Sequence, residues 1–270
     1  MSDAPSSPSP PLEGVGVLVT RPRAQAAELI AAIQDEGGIA ICFPVIEIMP
    51  RDEVAIAADA ARLPEPDIAV FVSRNAVTYG LSYAAGAAKA VTGPATAAAI
   101  RTACQTVEIE PDKGYNSESL LAEPTLQDVT GKQVRIIRGG DGSEGGGREL
   151  LADTLRVRGA TVNYLSVYER RLPVLSPDSL VEVETAWRDG KINTITVMSV
   201  ETLKNLATLL PEWCAERMQY VPLVTPTARV IKEMLDRYPA SRSILASGPQ
   251  AGNMIEAIIA VHRTDPGIAP

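Results

Sequence analysis

Small polar residues follow several apolar runs in this sequence, and their chemistry is that of neutral hydrogen-bonding groups. The run VFV (70–72) passes directly into Ser73, Arg74 and Asn75. Serine or asparagine at such a point can cap the helix that follows. The free N–H groups and the positive dipole end of that helix can also bind an anion. Further members of this set are Thr20, Thr96, Ser117, Ser119, Ser199, Thr225, Thr227 and Ser247.

Helix capping alone explains each of these residues when it is considered singly. Their recurrence instead describes two rims of hydroxyl and amide donors with few fixed charges, which suits a ligand with several carboxylates. A hydrogen bond to a charged group contributes roughly 1.5–3 kcal/mol, and a helix N-terminus adds roughly 0.3–1 kcal/mol. Charges are screened over a Debye length of about 8 Å. Local donors can therefore outweigh repulsion from the net charge of −8.

The segment RGGDGSEGGGREL (138–150) contains six glycines. It lacks both the GK[ST] ending of a Walker loop and the GxGxxG fingerprint of dinucleotide-binding proteins. One interpretation is a flexible crossover loop, and the other is a loop in which Arg138 and Arg148 reach a carboxylate. Asp141 and Glu144 are interpreted as solvated loop residues rather than as an acid–base pair.

Tyr168 lies in the run LSVYERRLP, which is otherwise aliphatic and charged. It is either a packing residue or, if it faces a ligand, a proton donor, because a phenol stays protonated near neutral pH. The single histidine, His262, is expected on the surface of a helix. One histidine almost excludes histidine triads and histidine-rich metal sites.

Short apolar runs alternate with amphipathic stretches from residue 15 onward. This alternation predicts parallel sheets covered by helices, a fold in which ligands bind beyond the carboxyl ends of the strands. Two proline-marked runs, IAICFPVIEIMP (39–50) and TVNYLSVYERRLP (161–173), are predicted to be extended. Pro44 makes the first of them an edge strand or a linker.

The order of these units indicates an internal duplication. IAVFVSRNAVTYGL (68–81) corresponds to NTITVMSVETLKNL (193–206), and VTGPATAAAI (91–100) corresponds to LVTPTARVI (223–231). The offset between corresponding segments is nearly constant. The sequence therefore predicts two similar α/β layers with matching polar residues at their strand ends.

Composition and charge exclude several classes of protein. The chain has 270 residues, 46% hydrophobic residues and a net charge of −8, so two domains are expected and nucleic acid is not an expected partner. No apolar run approaches the ~20 residues that span a bilayer, and no membrane association is expected. Residues 1–14 lack the pattern of a secretory signal and are predicted to be a disordered tail. Three isolated cysteines favour neither disulfides nor a zinc site, so the cytoplasm is the expected compartment.

In their joint order, several segments resemble the uroporphyrinogen-III synthase family. They are VLVTRPRAQAAELIAAIQDEGG, FPVIEI, VSRNAV, GPATAAAI, NSESLL, RGG, GRELLADTLRVRGATVNYLSVYERR, PTARVI and ASGP. The resemblance implies two parallel-sheet α/β domains joined by a two-stranded extended linker, with the active site in the cleft between them. The first domain would be discontinuous (1–42 and 172–270) and the second would span 47–167. The linker strands would lie at about 43–46 and 168–171.

The same resemblance implies a cofactor-free lyase of tetrapyrrole biosynthesis that acts on hydroxymethylbilane, a linear tetrapyrrole with eight carboxylates. Such an enzyme removes the terminal hydroxyl, inverts the last pyrrole ring through a spiro intermediate and closes uroporphyrinogen III. Tyr168 is the implied catalytic residue, assisting loss of the hydroxyl. The residues expected to bind substrate are Ser73, Asn75, Thr96, Ser117, Ser119, Leu120, Arg138, Ser199 and Thr227. A monomer is expected.

Three positions depart from the family pattern. The usual Thr-Ser after a buried strand is Val72-Ser73 here and again Met198-Ser199, and LVTPTA, at Val224, lacks the glycine usual before Pro-Thr. A non-catalytic protein that binds a tetrapyrrole or another polyanion on the same scaffold is therefore the alternative hypothesis. A sugar- or nucleotide-modifying α/β enzyme is a third, against which the missing Walker loop, dinucleotide fingerprint and acid–base pair all count.

Overall fold

The structure is a computed structural model that describes residues 9–114, 116–140 and 146–263, with side chains in the last range from Glu149 onward. Asp141, Glu144 and the side chain of Arg148 lie outside the described part. The chain divides into two compact units. The first unit is Met1–Glu47 with Leu172–Pro270, and the second unit is Ile48–Arg171. None of the helices described is both long and apolar enough to cross a membrane.

Strands and helices alternate in both units. The strands are β1 (Gly16–Val19), β2 (Ile39–Cys42), β3 (Glu47–Pro50), β4 (Ile68–Phe71), β5 (Ala88–Val91), β6 (Gln133–Gly139), β7 (Thr161–Arg171), β8 (Thr194–Thr196), β9 (Leu223–Thr225) and β10 (Ser243–Leu245). The helices are α1 (Arg23–Asp35), α2 (Glu53–Ala61), α3 (Arg74–Gly80), α4 (Pro94–Thr102), α5 (Ser117–Leu121), α6 (Gly146–Val157), α7 (Pro177–Arg188), α8 (Val200–Leu209), α9 (Glu212–Arg217), α10 (Ala228–Arg237) and α11 (Ala251–Arg263).

The first unit contains a five-stranded parallel sheet in the order β10-β9-β8-β1-β2. All four residues of β1 are buried, as expected for a parallel strand covered on both faces. α1 buries Ala26, Leu29 and Ile33, which recur at the spacing of one helical face. Gly37 follows this helix with φ +83°, the left-handed conformation that commonly ends helices.

The second unit contains a five-stranded sheet in the order β3-β7-β6-β4-β5. β4 lies between β5 and β6 and is parallel to both, and all four of its residues are buried. Two hydrophobic clusters cover the sheet. One contains Val70 and Ile136, and the other contains Phe71 and Ile137. The alternation of neighbouring residues between clusters shows that each face of the sheet has its own core.

The strand order of the two sheets matches the order that the internal duplication predicts. The series β9-β8-β1-β2 in the first sheet corresponds to β5-β4-β6-β7 in the second. Ile109 bridges Ala90 of β5 in parallel and so takes the place that β10 has beside β9. Chain order reverses between β1 and β8 and again between β4 and β6. In open α/β sheets such reversals create a ligand crevice at the carboxyl ends of the strands.

The proline-marked run 39–50 forms two strands, because β2 ends before Pro44 and β3 begins after it. β2 is an edge strand of the first sheet, and β3 is an edge strand of the second. Phe43 and Val45, on either side of Pro44, are buried. The second proline-marked run forms the single long strand β7, paired with β6.

His262 lies in a helix, as predicted, but its side chain is only partly exposed. It lies in α11 and is half-buried, with its Nε2 atom 2.7 Å from the Oγ1 atom of Thr194, a fully buried residue of β8. In the sequence, His262 stands next to Val261, which is buried in α11. Its hydrogen-bond partner, however, is a hydroxyl on a strand 68 residues away, which no local pattern indicates. Burial lowers the pKa of His262, and the positive charge of Arg242 lowers it further.

We expect the free energy of unfolding to decrease as the pH falls below about 6.5, the ordinary pKa of histidine. In that range the unfolded chain binds a proton that the folded protein does not yet bind, and the loss ends below the folded pKa. Urea midpoints measured across this range test the expectation. His262→Gln, which can still bond to Thr194, should remove this part of the pH dependence. Identical pH slopes in the two proteins would contradict it.

Candidate active site

Ser73 follows β4 at the reversal point of the second sheet. Its backbone is extended (φ −165°, ψ 163°), and its Oγ atom accepts the amide N–H of Ala76 at 3.1 Å, which caps α3. The same Oγ atom lies 3.1 Å from the Oη atom of Tyr168. One hydroxyl therefore caps a helix and holds a phenol. Asn75 is half-buried in the first turn of the same helix.

Tyr168 lies near the carboxyl end of β7 and is 2% exposed. Its ring packs in the cluster of Phe71 and Val167, with its centroid 6.2 Å from that of Tyr79. Its phenol reaches the polar edge of the sheet through the hydrogen bond to Ser73. The ring is therefore a packing residue, and the hydroxyl lies at the strand-end rim, where its role as a proton donor stays a prediction. The structure brings together two site residues that are 95 positions apart.

Arg138 lies at the end of β6 with its guanidinium 4.5 Å from the centroid of the Tyr164 ring. Its Nε atom is buried and has no hydrogen-bond partner in the part of the chain that the structure describes. Such a donor is costly to leave unsatisfied, which makes Arg138 a candidate for a partner outside the described residues. Tyr164 packs in the cluster opposite to that of Tyr168. Arg138 and Tyr168 therefore both lie at the carboxyl edge of the sheet, but on opposite faces of it.

α4 and α10, which correspond in the duplication, both begin without a side-chain cap in the described structure. Gly93 precedes α4, and Thr227 precedes α10 with no capping bond from its own side chain. Amides in the first turn of a helix need partners from outside the helix and are suited to anions. Thr96, in the first turn of α4, is 6% exposed. α4 and α10 thus place uncapped helix starts at the carboxyl edges of the two sheets, and in the first unit α1 also begins without a side-chain cap from the described residues.

Ser199 and Thr227 are neighbours at the carboxyl edge of the first sheet. The Oγ atom of Ser199 accepts the amide N–H of Thr202 at 3.1 Å and caps α8. The Oγ1 atom of Thr227 donates to the carbonyl oxygen of Met198, the residue before Ser199, at 3.1 Å. Both residues are half-buried. The first unit therefore repeats the capping serine of the second unit, but the hydroxyl partner of Ser199 is Thr202, at 3.0 Å, rather than a tyrosine.

Some residues expected at the rims face the core instead. Thr20 and Thr225 are fully buried, and the Oγ1 atom of Thr20 donates to the carbonyl oxygen of Thr196 at 2.5 Å. Leu120 is also fully buried, and its amide donates to the carbonyl oxygen of Asn116 at 3.2 Å. The described polar groups of these residues are bonded within the protein, and a contact of Leu120 with a ligand stays a prediction.

The start of α5 contains two predicted residues and two that sequence reasoning missed. Ser117 is 9% exposed, and Ser119 is half-buried. Asn116 caps the helix, because its Oδ1 atom accepts the amide N–H of Ser119 at 2.8 Å. Gly114 has a left-handed backbone (φ +82°) and lies close to Ser119. A Cβ atom on Gly114 would lie 2.0 Å from the Oγ atom of Ser119. The Asn-Ser-Glu-Ser pattern is a capping signal that identifies Asn116 in retrospect.

A separate cavity of about 650 Å³ lies in the first unit, at the opposite edge of its sheet from the rim. Asn193, Pro222 and Arg242, each just before a strand, contribute to its wall together with His262. None of the predicted site residues lines it. The thiol of Cys214 is poorly suited to act as a nucleophile, since burial raises its pKa to about 11.

Comparison with known proteins gives one consistent result. A family model described as "Uroporphyrinogen-III synthase HemD" matches residues 27–256. A uroporphyrinogen-III synthase of Escherichia coli (strain K12) is 32% identical over an alignment of 211 residues that covers 75% of this chain and 82% of the relative. The corresponding protein of Salmonella typhimurium is 31% identical over the same shares of the two chains.

Solved structures show the same fold at lower identity. A mutant uroporphyrinogen III synthase from the extremely thermophilic bacterium Thermus thermophilus superposes with a TM-score of 0.56 at 18% identity, covering 92% of this chain and 99% of that one. Uroporphyrinogen-III synthetase from Helicobacter pylori 26695 gives 0.59 at 11% identity, with the same two coverages.

Proposed function

The chain belongs to the uroporphyrinogen-III synthase family, and from this membership we propose that it cyclises hydroxymethylbilane to uroporphyrinogen III with inversion of the last ring and loss of water. It is an enzyme of the lyase class. The observation that carries the proposed site is the pair of Ser73 and Tyr168, whose oxygens are 3.1 Å apart at the reversal point of the second sheet. Ligands of open α/β sheets bind at such points.

The proposed substrate carries eight carboxylates, and the strand-end donors are suited to them. In the second unit the donors are Arg138, Thr96 and the first turn of α4, and in the first unit they are Ser199 and the first turn of α10. Thr227 lies just before α10 and would bind a carboxylate only by giving up its bond to the carbonyl oxygen of Met198. Each charge-assisted hydrogen bond contributes roughly 1.5–3 kcal/mol. Because these donors are held by the fold, little reorganisation is needed when the carboxylates bind.

The proposed chemistry begins with loss of the terminal hydroxyl. The lone pair of the adjacent pyrrole nitrogen expels the hydroxyl as the C–O bond breaks, and a proton from the Tyr168 Oη atom lets it leave as water. The resulting cation is attacked by the substituted carbon of the last ring, which gives the spiro intermediate. The old bond from that carbon to the methylene of the preceding ring then breaks and leaves a cation on the preceding ring. The free carbon of the last ring attacks this methylene and closes the inverted macrocycle. The ring carbon finally releases one proton, which restores the phenol, so the net change is loss of one water. A general acid in this role contributes typically ~10²–10⁴-fold.

Ser73→Ala and Ser176→Ala separate the two tasks of Ser73. Ser176 is an exposed cap of α7 that accepts the amide N–H of Ser179 at 3.2 Å. We expect each variant to lose about 1 kcal/mol of unfolding free energy, the usual contribution of an N-cap, as measured by urea denaturation. We expect only Ser73→Ala to lower kcat, because only Ser73 contacts Tyr168. The same kcat in both variants would exclude a role for this hydrogen bond in catalysis.

The experiment that tests the function compares product isomers. Hydroxymethylbilane closes spontaneously to the type I isomer, in which the last ring is not inverted. The purified protein, with no metal or nucleotide added, should convert it to the type III isomer, as separated by chromatography. Type I alone from folded protein would reject the synthase function and leave the binding protein as the hypothesis.

We also propose that the protein is a cytoplasmic monomer, as expected for a biosynthetic enzyme of this family. Light scattering of the purified protein tests the oligomeric state, and cell fractionation tests the compartment.

A further inference from the structure

The side chain of Tyr168 lies on the face of the second sheet opposite to the one that strand alternation assigns to it. In a regular strand, residues two apart share a face. Val162 and Tyr164 of β7 pack in one cluster. Leu165 and Val167 pack in the other cluster, and Tyr168 packs with them. The alternation must therefore shift by one residue between Tyr164 and Tyr168.

The shift is a β-bulge between β6 and β7. Arg138 pairs with Ser166, but the next residue, Gly139, pairs with Tyr168, so Val167 is the extra residue on β7. A bulge bends its strand and re-aims the side chains beyond it. Here it turns the Tyr168 ring onto the face on which its hydroxyl meets Ser73.

Gly139 provides the space that the turned ring occupies. A Cβ atom on Gly139 would lie 2.6 Å from Cε2 and 2.8 Å from Cζ of Tyr168, closer than carbon atoms approach without displacement. Gly139 is needed for space and not for a left-handed backbone, since it lies in β6 as the last residue of the strand. The neighbouring Gly140 is different, because a Cβ atom there would only touch Glu169 Cγ and Tyr168 O at 3.5 Å.

Hydrogen bonds hold the bulge in place. The Nη1 atom of Arg51 donates to the carbonyl oxygen of Ser166 at 2.6 Å, and the amide of Arg51 donates to that of Val167 at 3.2 Å. The amide of Gly140 donates to the carbonyl oxygen of Tyr168 at 2.5 Å. Three consecutive carbonyl groups of the bulge thus have hydrogen-bond partners. The bulge is therefore a stably bonded part of the strand and not a local irregularity.

We propose that Gly139 is a positioning residue for the reaction, because its missing side chain lets the bulge place the Tyr168 phenol against Ser73. Arg51 supports this placement by binding two carbonyl groups of the bulge. The inference rests on the proposed function of Tyr168. It extends that function, since it names residues that do not touch substrate yet set the geometry of the proton donor.

Gly139→Ala and its matched control Gly140→Ala test the inference by steady-state kinetics. We expect Gly139→Ala to lower kcat at least about tenfold with little change in KM, and Gly140→Ala to stay within about twofold of wild type. In a Tyr168→Phe background, Gly139→Ala should have less than about a twofold effect, since coupled residues are not additive. Wild-type kcat in Gly139→Ala, or an equal loss in both backgrounds, would overturn the inference.

A second measurement does not depend on activity. In protein labelled with 3-fluorotyrosine, the ¹⁹F resonance missing from Tyr168→Phe belongs to Tyr168. Gly139→Ala should shift this resonance, and Gly140→Ala should not. If Tyr168→Phe keeps wild-type kcat, the proposed chemistry fails, and the resonance still decides the positioning. An unshifted resonance in Gly139→Ala would overturn it.

Arg51→Met serves if Gly139→Ala does not fold. Its control is Arg62→Met, because both arginines bind Asp59 but only Arg51 reaches the bulge. We expect Arg51→Met to shift the Tyr168 resonance and lower kcat, and Arg62→Met to do neither. The same spectrum and kcat in the two variants would contradict the role of the bulge.

Discussion

Tyr168→Phe should lower kcat about 10²-fold or more while KM stays near its wild-type value. A general acid contributes typically ~10²–10⁴-fold, and phenylalanine removes only the hydroxyl. The ring keeps its place among the apolar side chains of its cluster, so the fold should remain intact. What is lost is the oxygen that lies 3.1 Å from the Oγ atom of Ser73. The measurement is the initial rate of type III formation, corrected for spontaneous closure.

Tyr79→Phe is the matched control for this substitution. Its ring lies in the same region, 6.2 Å from that of Tyr168 between centroids, and the same atom is removed. We expect its kcat to remain within about twofold of wild type, because the Tyr79 hydroxyl takes no part in the proposed proton transfer. Wild-type kcat in Tyr168→Phe would remove the phenol from the mechanism. Equal losses in the two variants would point to packing of the aromatic pair instead.

Arg138→Met should raise KM about 10- to 100-fold and leave kcat nearly unchanged. The guanidinium is proposed to bind a substrate carboxylate, and a charge-assisted hydrogen bond contributes roughly 1.5–3 kcal/mol, where about 1.4 kcal/mol is tenfold. Methionine keeps an unbranched side chain that can pack on the Tyr164 ring. The buried Nε donor, which has no hydrogen-bond partner among the described residues, disappears with the guanidinium.

Arg156→Met controls for the contact with the tyrosine ring. Arg156 lies over the same ring at 5.9 Å from its centroid, but it forms an exposed pair with Asp153 at 2.9 Å. Exposed ion pairs contribute little, so its KM should stay within about twofold of wild type. A similar rise in KM in both variants would mean that the ring contact or general positive charge matters, rather than a specific donor at residue 138.

The sequence was sufficient to predict two parallel α/β layers because their signals are local, whereas the discontinuous first domain was expected only from the family resemblance. Buried β4 shows as a continuous apolar run, Ser73 stands where an N-cap belongs, and the repeated order of units anticipates the matching strand orders of the two sheets. These patterns need only periodicity and capping chemistry. The prediction of a synthase depended in addition on resemblance, since no single motif here specifies the reaction.

The orientation of the site residues could not be predicted from the sequence. The bulge at Val167 results from pairing between β6 and β7, and nothing near Tyr168 in the chain signals it. Thr20 resembles other strand-end hydroxyls, yet its partner is a carbonyl group 176 residues away. Leu120 lies in a helix of five residues, which is too short for its apolar periodicity to separate a core position from a rim position.

Single-turnover cyclisation with enzyme in excess tests most directly whether the strand-end donors bind the substrate and the phenol performs the chemistry. Varying the enzyme concentration gives a Kd and a first-order rate constant for wild type, Tyr168→Phe and Arg138→Met. We expect Tyr168→Phe to keep the wild-type Kd and to lose rate constant, and Arg138→Met to lose affinity at an unchanged rate constant. If both variants change the same parameter, or if Tyr168→Phe weakens only binding, this division of roles is wrong.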